Sequence, residues 1–138
     1  MKLGLHLVDY TWPGGPADLR PTLAEIARTA EGVGFDAIAV ADHLWQNPYI
    51  GGPEKEMLEA YATLTFIAAH TNRTRLLTLA TAASFRPAGL LAKTVTTLDV
   101  LSGGRAWLGI GAGHDEAEAR GLGVPLPPKC ERFELLEE

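Results

Sequence analysis

Apolar residues fall into two alternating rhythms along this chain: short unbroken runs, and longer stretches with helical spacing. Leu3 to Val8 is a run of the first kind, and the polar, glycine-rich Asp9 to Pro16 that follows reads as a loop. Leu19, Leu23, Ile26, Ala27, Ala30 and Val33 then recur at helical spacing, with Gly34 as a stop. The same order returns. Phe35 to Ala41 reads as a second buried strand, and a loop carrying Pro48, Gly51, Gly52 and Pro53 leads to a helix from about Met57 to His70. The inward stripe of that helix is Leu58, Tyr61, Ala62, Thr65, Phe66 and Ala69. Leu76 to Ala83 is the third strand, Ala88 to Leu101 the next helix with Pro87 near its first turn, and Arg105 to Gly111 the fourth strand. Beyond it, Asp115 to Arg120 reads as a helical turn, Val124 to Pro128 as a proline-rich loop, and Cys130 to Glu138 as a further helix.

Strands alternating with helices predict a parallel sheet with right-handed crossovers, so all four strands end on the same side. Asp9, Asp42, Ser84 and His114 therefore share one rim. The segment Leu98 to Gly113 shows this design best, with a helix ending at Gly103, a turn, and a short apolar strand of the doubly buried kind running into Gly109, Gly111 and Gly113. The G-x-G-x-G spacing is not the dinucleotide fingerprint, and no P-loop lysine follows. Two readings stay open, close backbone approach to a ligand and close approach to a neighbouring strand.

Composition narrows the classes. With 138 residues, 46% of them hydrophobic, the chain has the make-up of a single globular domain with a core. A net charge of -5 with scattered basic residues argues against a nucleic-acid or anionic-membrane surface. Cys130 is the only cysteine, which rules out an internal disulfide, and no signal peptide or membrane-length apolar run is visible. The expectation is a cytoplasmic protein acting on a small molecule.

Asp42-His43 is the first candidate for chemistry, because an imidazole beside a carboxylate at a strand's carboxyl end can exchange a proton or polarise a carbonyl. Adjacent strand residues point apart, so one of the pair can equally cap the loop. His6, His43, His70 and His114 show no metal-ligand spacing, and no metal is expected; His70 reads as a helix-end cation. Trp12, Trp45 and Tyr49 sit in loops over the rim, where aromatic rings stack on a flat ligand or fold under the loop. Trp107 reads as core. Arg86 lies where it would meet an anionic group or remain solvated.

The segments GFDAIAVADHLWQNP, MLEAYATLTFIAAHT, TRLLTLATAASFRPAGLLAKTVTTLDVLSGGRAWLGIGAG and PPKCERFELLEE together resemble the amino-terminal half of the luciferase-like monooxygenase superfamily, in particular its deazaflavin-dependent oxidoreductases. The resemblance implies a (β/α)8 barrel that holds the deazaflavin coenzyme F-420, or FMN in other branches, with its ring over the strand ends. It implies catalytic roles for His43 and Asp42, with His43 beside the reactive ring. It also implies a bulge with a non-prolyl cis peptide under the ring, near Thr78 and Leu79. Gly111, Gly113 and His114 complete the expected cofactor-binding set, although His114 stands where close relatives commonly carry an aromatic residue.

A barrel of this type takes about 250 residues and eight strands, whereas four strands are legible here. The expected fold is therefore α/β, the amino-terminal half of a TIM-type barrel, with residues 1–138 forming one partial domain that is incomplete at its carboxyl end. Such a half exposes sheet edges and lacks the usual phosphate site, so it should bind coenzyme weakly unless self-association or a missing carboxyl-terminal half closes it. The expected function is hydride transfer between a deazaflavin and a small organic substrate. The alternatives are an FMN-dependent monooxygenase, and a half-barrel fragment that serves as an assembly partner without catalysis.

Overall fold

A computed structural model describes residues 1–137. Four parallel strands, β1 (Gly4–Leu7), β2 (Ala37–Val40), β3 (Arg75–Thr78) and β5 (Ala106–Trp107), lie side by side in that order. A second parallel pair continues two of them beyond their carboxyl ends, β4 (Thr81–Ala82) beside β6 (Ile110–Gly111). The helices α1 (Leu19–Gly32), α2 (Ala60–Ala68) and α3 (Ala88–Ser102) cover one face, and the short α4 (Glu116–Leu122) and α5 (Lys129–Glu137) follow β6.

The helices form where the apolar period places one face on the sheet. Leu23, Ala27 and Ala30 of α1 and Leu64 and Ile67 of α2 pack with Leu91 and Leu98 of α3 onto Leu7, Ile38, Val40 and Leu76. Each strand gives alternate residues to this layer. Gly103 ends α3 with φ 74°, and the N–H groups of Gly103 and Gly104 cap its last carbonyls.

The guanidinium of Arg105 is buried in the turn after Gly104. It donates to the carbonyl oxygens of Ser102, Ala68, Thr71 and Thr74 and to the Thr71 hydroxyl, joining the ends of α2 and α3 to the start of β3. The acceptors are helix-end and loop carbonyls, which carry partial negative charge. No carboxylate is needed.

Four expectations change at this level. The inward face of α2 is Ala60, Tyr61, Thr63, Leu64 and Ile67, whereas Ala62, Thr65 and Ala69 of the expected stripe are exposed. The third strand is not continuous from Leu76 to Ala83: the Leu79-Ala80 peptide is cis and divides β3 from β4, one residue from where the family resemblance placed the feature. The fourth strand is likewise divided at Leu108 and Gly109. Nor is it buried on both faces. Trp107, read as core, is 47% exposed, as Leu108 is, because its side of the sheet carries no helices among the described residues. In register on that open side stand His6, Ala39, Leu77 and Trp107.

Candidate active site

The rim begins where the strands stop. Val40 is the last residue of β2, and the next turn carries Asp42 and His43 away from each other, as neighbouring extended residues require. Asp42 turns into the protein, where its two oxygens accept from Arg86 at 2.6 and 2.9 Å. Arg86 also donates to Glu59 at 2.7 Å, and its guanidinium lies 4.9 Å from the Tyr61 ring centre. Burial works against its charge, but the hydrogen bonds and fields of Asp42 and Glu59 raise its pKa above the ordinary arginine value. Arg86 is thus neither solvated nor free for a ligand anion.

From Tyr61 the contacts run on to the divided strand. The Tyr61 hydroxyl lies 2.7 Å from Thr81 Oγ1, Thr81 donates to Thr78 Oγ1 at 3.0 Å, and the Thr78 hydroxyl donates to the Gly109 carbonyl at 2.8 Å. Thr78 and Thr81 are fully buried, so the two residues between them, Leu79 and Ala80, are turned outward. Gly109 is required here because a Cβ would collide with the Thr78 carbonyl oxygen. The glycine cluster therefore serves the neighbouring strand at Gly109. At Gly111 a Cβ would meet only Ala80 Cβ, at ordinary van der Waals distance. Leu79, Ala80 and Gly111 thus form an apolar surface at the strand ends, on which the Leu79 side chain is 53% exposed.

His43 follows β2 and His114 follows β6, at the same strand ends. Gly113, with φ 77°, packs on Ala82, and His114 next to it presents its ring edge-on to His43 with centres 5.4 Å apart. The Nδ1 of His43 lies 2.8 Å from an oxygen of Glu118, a residue of α4 whose side chain is fully buried. Glu118 also accepts from the backbone N–H groups of Leu44 and Trp45, and its own N–H is capped by Asp115 at 2.9 Å. The Glu118 hydrogen bond raises the His43 pKa above its ordinary value; burial opposes this, and the charges of Glu118, Asp115 and Asp42 reinforce it.

His43, Asp115 and Glu118 bring potential ligand atoms within 4.8 Å of one another. Glu118 is already committed to two backbone donors and the His43 ring, and Asp115 to the cap of α4, so the cluster reads as a hydrogen-bonded support for His43.

The remaining expectations separate. Asp9 caps its own turn by accepting from Thr11 N–H, and Ser84 is buried, so neither joins the two histidines. Trp12 packs against the core and tilts over Tyr10, Trp45 is partly buried, and Tyr49 is 98% exposed. His70 Nδ1 donates to the Phe66 carbonyl, 2.8 Å away at the carboxyl end of α2, where a helix-end histidine was expected. Glu118 was missed: it lies in the segment read only as a helical turn, 75 residues from the imidazole it supports.

The family description Luciferase-like monooxygenase matches residues 3–138. The chain belongs to this family. It is 36% identical over 118 residues to an F420-dependent glucose-6-phosphate dehydrogenase of Kineococcus radiotolerans, covering 84% of this chain and 34% of that enzyme. Among solved structures, this luciferase-like chain resembles the coenzyme F420-dependent tetrahydromethanopterin reductase of Methanopyrus kandleri, with 27% identity and a TM-score of 0.68 over 91% of this chain and 31% of that one. It also resembles a monooxygenase of Streptomyces bottropensis, with 25% identity and a TM-score of 0.79 over 99% of this chain and 41% of that one. The chain thus spans about a third of the length of the relatives it matches, which agrees with half-barrel architecture.

Proposed function

We propose that this chain forms the proton-handling half of an oxidoreductase that passes a hydride between the deazaflavin coenzyme F420 and a small organic substrate. The observation that carries the reading is the imidazole of His43, supported by Glu118 and edge-on to His114, at the strand ends where Leu79, Ala80 and Gly111 form an apolar surface. Two relatives named for F420 dependence, at 36% and 27% identity, favour the deazaflavin over FMN. Bound there, the deazaflavin would supply the carbon that accepts or releases hydride. Leu79, Gly111, Gly113 and His114 would form its seat and wall, with the buried Thr78, expected to touch the cofactor, instead holding Leu79 in place from beneath. His43 would take or return the proton that accompanies the hydride, and Asp42 would support the site from below by fixing Arg86 at the start of α3. No helix among the described residues is long and apolar enough to cross a membrane, which accords with a cytoplasmic setting.

The phosphate-binding part of such a barrel lies on its last strands. In this reading a further set of βα units, joined to this chain or supplied by a second one, closes the sheet and anchors the coenzyme's anionic tail.

The second reading is an FMN-dependent monooxygenase, favoured by the higher TM-score against the Streptomyces enzyme, 0.79 against 0.68. Parallel titrations of the chain with F420 and FMN, followed by ring fluorescence, separate the two. Saturable binding of F420 that is tighter than that of FMN is expected. FMN binding alone, with oxygen consumption once FMN is reduced, would select the monooxygenase, and no binding of either would leave a half-barrel that serves assembly.

A further inference from the structure

Glu118 is the most deeply buried carboxylate beside the rim, and its hydrogen-bond partners dictate more than its position. Backbone N–H groups can only donate, so Leu44 and Trp45 require one oxygen of Glu118 to be an unprotonated acceptor. The other oxygen faces His43 Nδ1 at 2.8 Å. With the carboxylate ionised, that contact is satisfied only when Nδ1 carries the hydrogen. Nε2 has no hydrogen-bond partner among the described residues.

We infer that Glu118 is a positioning residue that holds His43 as the Nδ1–H tautomer and leaves Nε2 as the nitrogen that exchanges the proton at the rim. The arrangement is built in from several elements. Asp115 caps α4 and orients Glu118, the turn after β2 aims two N–H groups at the carboxylate, and Trp45 packs on Gly121 so closely that no Cβ fits there. The charged and titratable groups around the imidazole are Glu118 and Asp115 from α4 and its cap, Asp42 paired with Arg86, and His114 after β6. A buried carboxylate behind the ring favours the imidazolium, which agrees with the raised His43 pKa.

The bearing on catalysis rests on the proposed role of His43; the test does not, because it needs no coenzyme. Long-range proton–nitrogen spectra of the full chain with labelled histidine report the tautomer and titration midpoint of each of the four imidazoles, with His43 assigned by its loss in His43→Ala. The expected result is a neutral His43 protonated at Nδ1, with a midpoint above the ordinary histidine value. In Glu118→Gln the amide oxygen must still serve Leu44 and Trp45, so the amide NH2 turns to the ring. The tautomer then reverses to Nε2–H and the midpoint falls by about one pH unit or more. Glu118→Asp, which keeps the charge, retains the Nδ1–H tautomer and a midpoint above the ordinary histidine value, a result read without the Gln variant should that fail to fold. A wild-type Nε2–H tautomer would overturn the inference, as would the same His43 midpoint with and without the carboxylate. Failure to bind F420 would leave it standing.

Discussion

Gly109 shows how one absent side chain governs the rim. Its carbonyl accepts from the Thr81 N–H at 2.9 Å and from the Thr78 hydroxyl at 2.8 Å, on both sides of the cis peptide, while a Cβ would be driven into the Thr78 carbonyl. Gly109→Ala must therefore push β6 off β4 and lose these bonds, a cost of about 1–3 kcal/mol for overpacking alone. Gly89, in the first turn of α3, faces open space, and Gly89→Ala should be neutral or stabilise by up to about 1 kcal/mol through helix propensity. Urea denaturation of the pair checks both signs, and equal effects would refute the close-approach account. The glycine spacing marked this residue in the sequence but left its partner open, since strand and ligand demand the same missing Cβ. Asp42 and His43 were legible as a pair because they end a strand. Glu118, and the pairing of Arg86 with Asp42, were not, because these contacts join residues 75 and 44 positions apart and leave no local pattern.

Among the elements, α1 and β3 are joined by a single carboxylate. Glu31, near the end of α1, accepts from the N–H groups of Asn72, Arg73 and Thr74 and from the Thr74 hydroxyl, and so fixes the chain just before β3 begins. Desolvation works against its charge, but the bonds from Thr74, Arg73 and Asn72 together lower its pKa to about 2. A lowered carboxylate pKa stabilises the fold above the unfolded value of about 4.3, and that contribution disappears as pH falls through the folded value. Glu31→Gln is expected to lower the melting temperature at pH 7 and to lose less stability than the wild type between about pH 4.3 and pH 2. Parallel acid-side slopes for the two proteins would show that Glu31 is solvated rather than engaged. The helices were readable from their apolar period to within a few residues. The strand breaks were not: Leu79, Ala80 and Leu108 look like strand residues in composition, and what turns them out is the chain of hydroxyls from Tyr61 through Thr81 and Thr78 to Gly109.

At the scale of the whole molecule, one face of the sheet bears helices and the other does not. Parallel sheets are ordinarily covered on both faces, and the sequence of the fourth strand looked doubly buried because it is apolar enough for that. In the described residues the row of His6, Ala39, Leu77 and Trp107 has no second layer, and Arg75, 5.7 Å from the Trp107 ring, shields only part of it. Leu79, Leu108 and Ile110 add exposed apolar surface at 53%, 47% and 43%. The outer strands β1 and β5 also present backbone groups that no neighbouring strand pairs. Exposed apolar area together with open edges favours association wherever the further βα units proposed above do not cover them. Sedimentation of the 138-residue chain should therefore show a weight-average mass that rises with concentration. Trp107→Lys, which puts a charge at the open end of the row, should shift the chain toward monomer. Tyr49→Lys removes a still more exposed aromatic, 98% against 47%, from the turn Pro48–Ile50 outside the sheet, and should leave association unchanged. If both substitutions acted alike, general surface apolarity would be responsible; an effect at Trp107 alone would locate the association on the face that a closed barrel keeps inside.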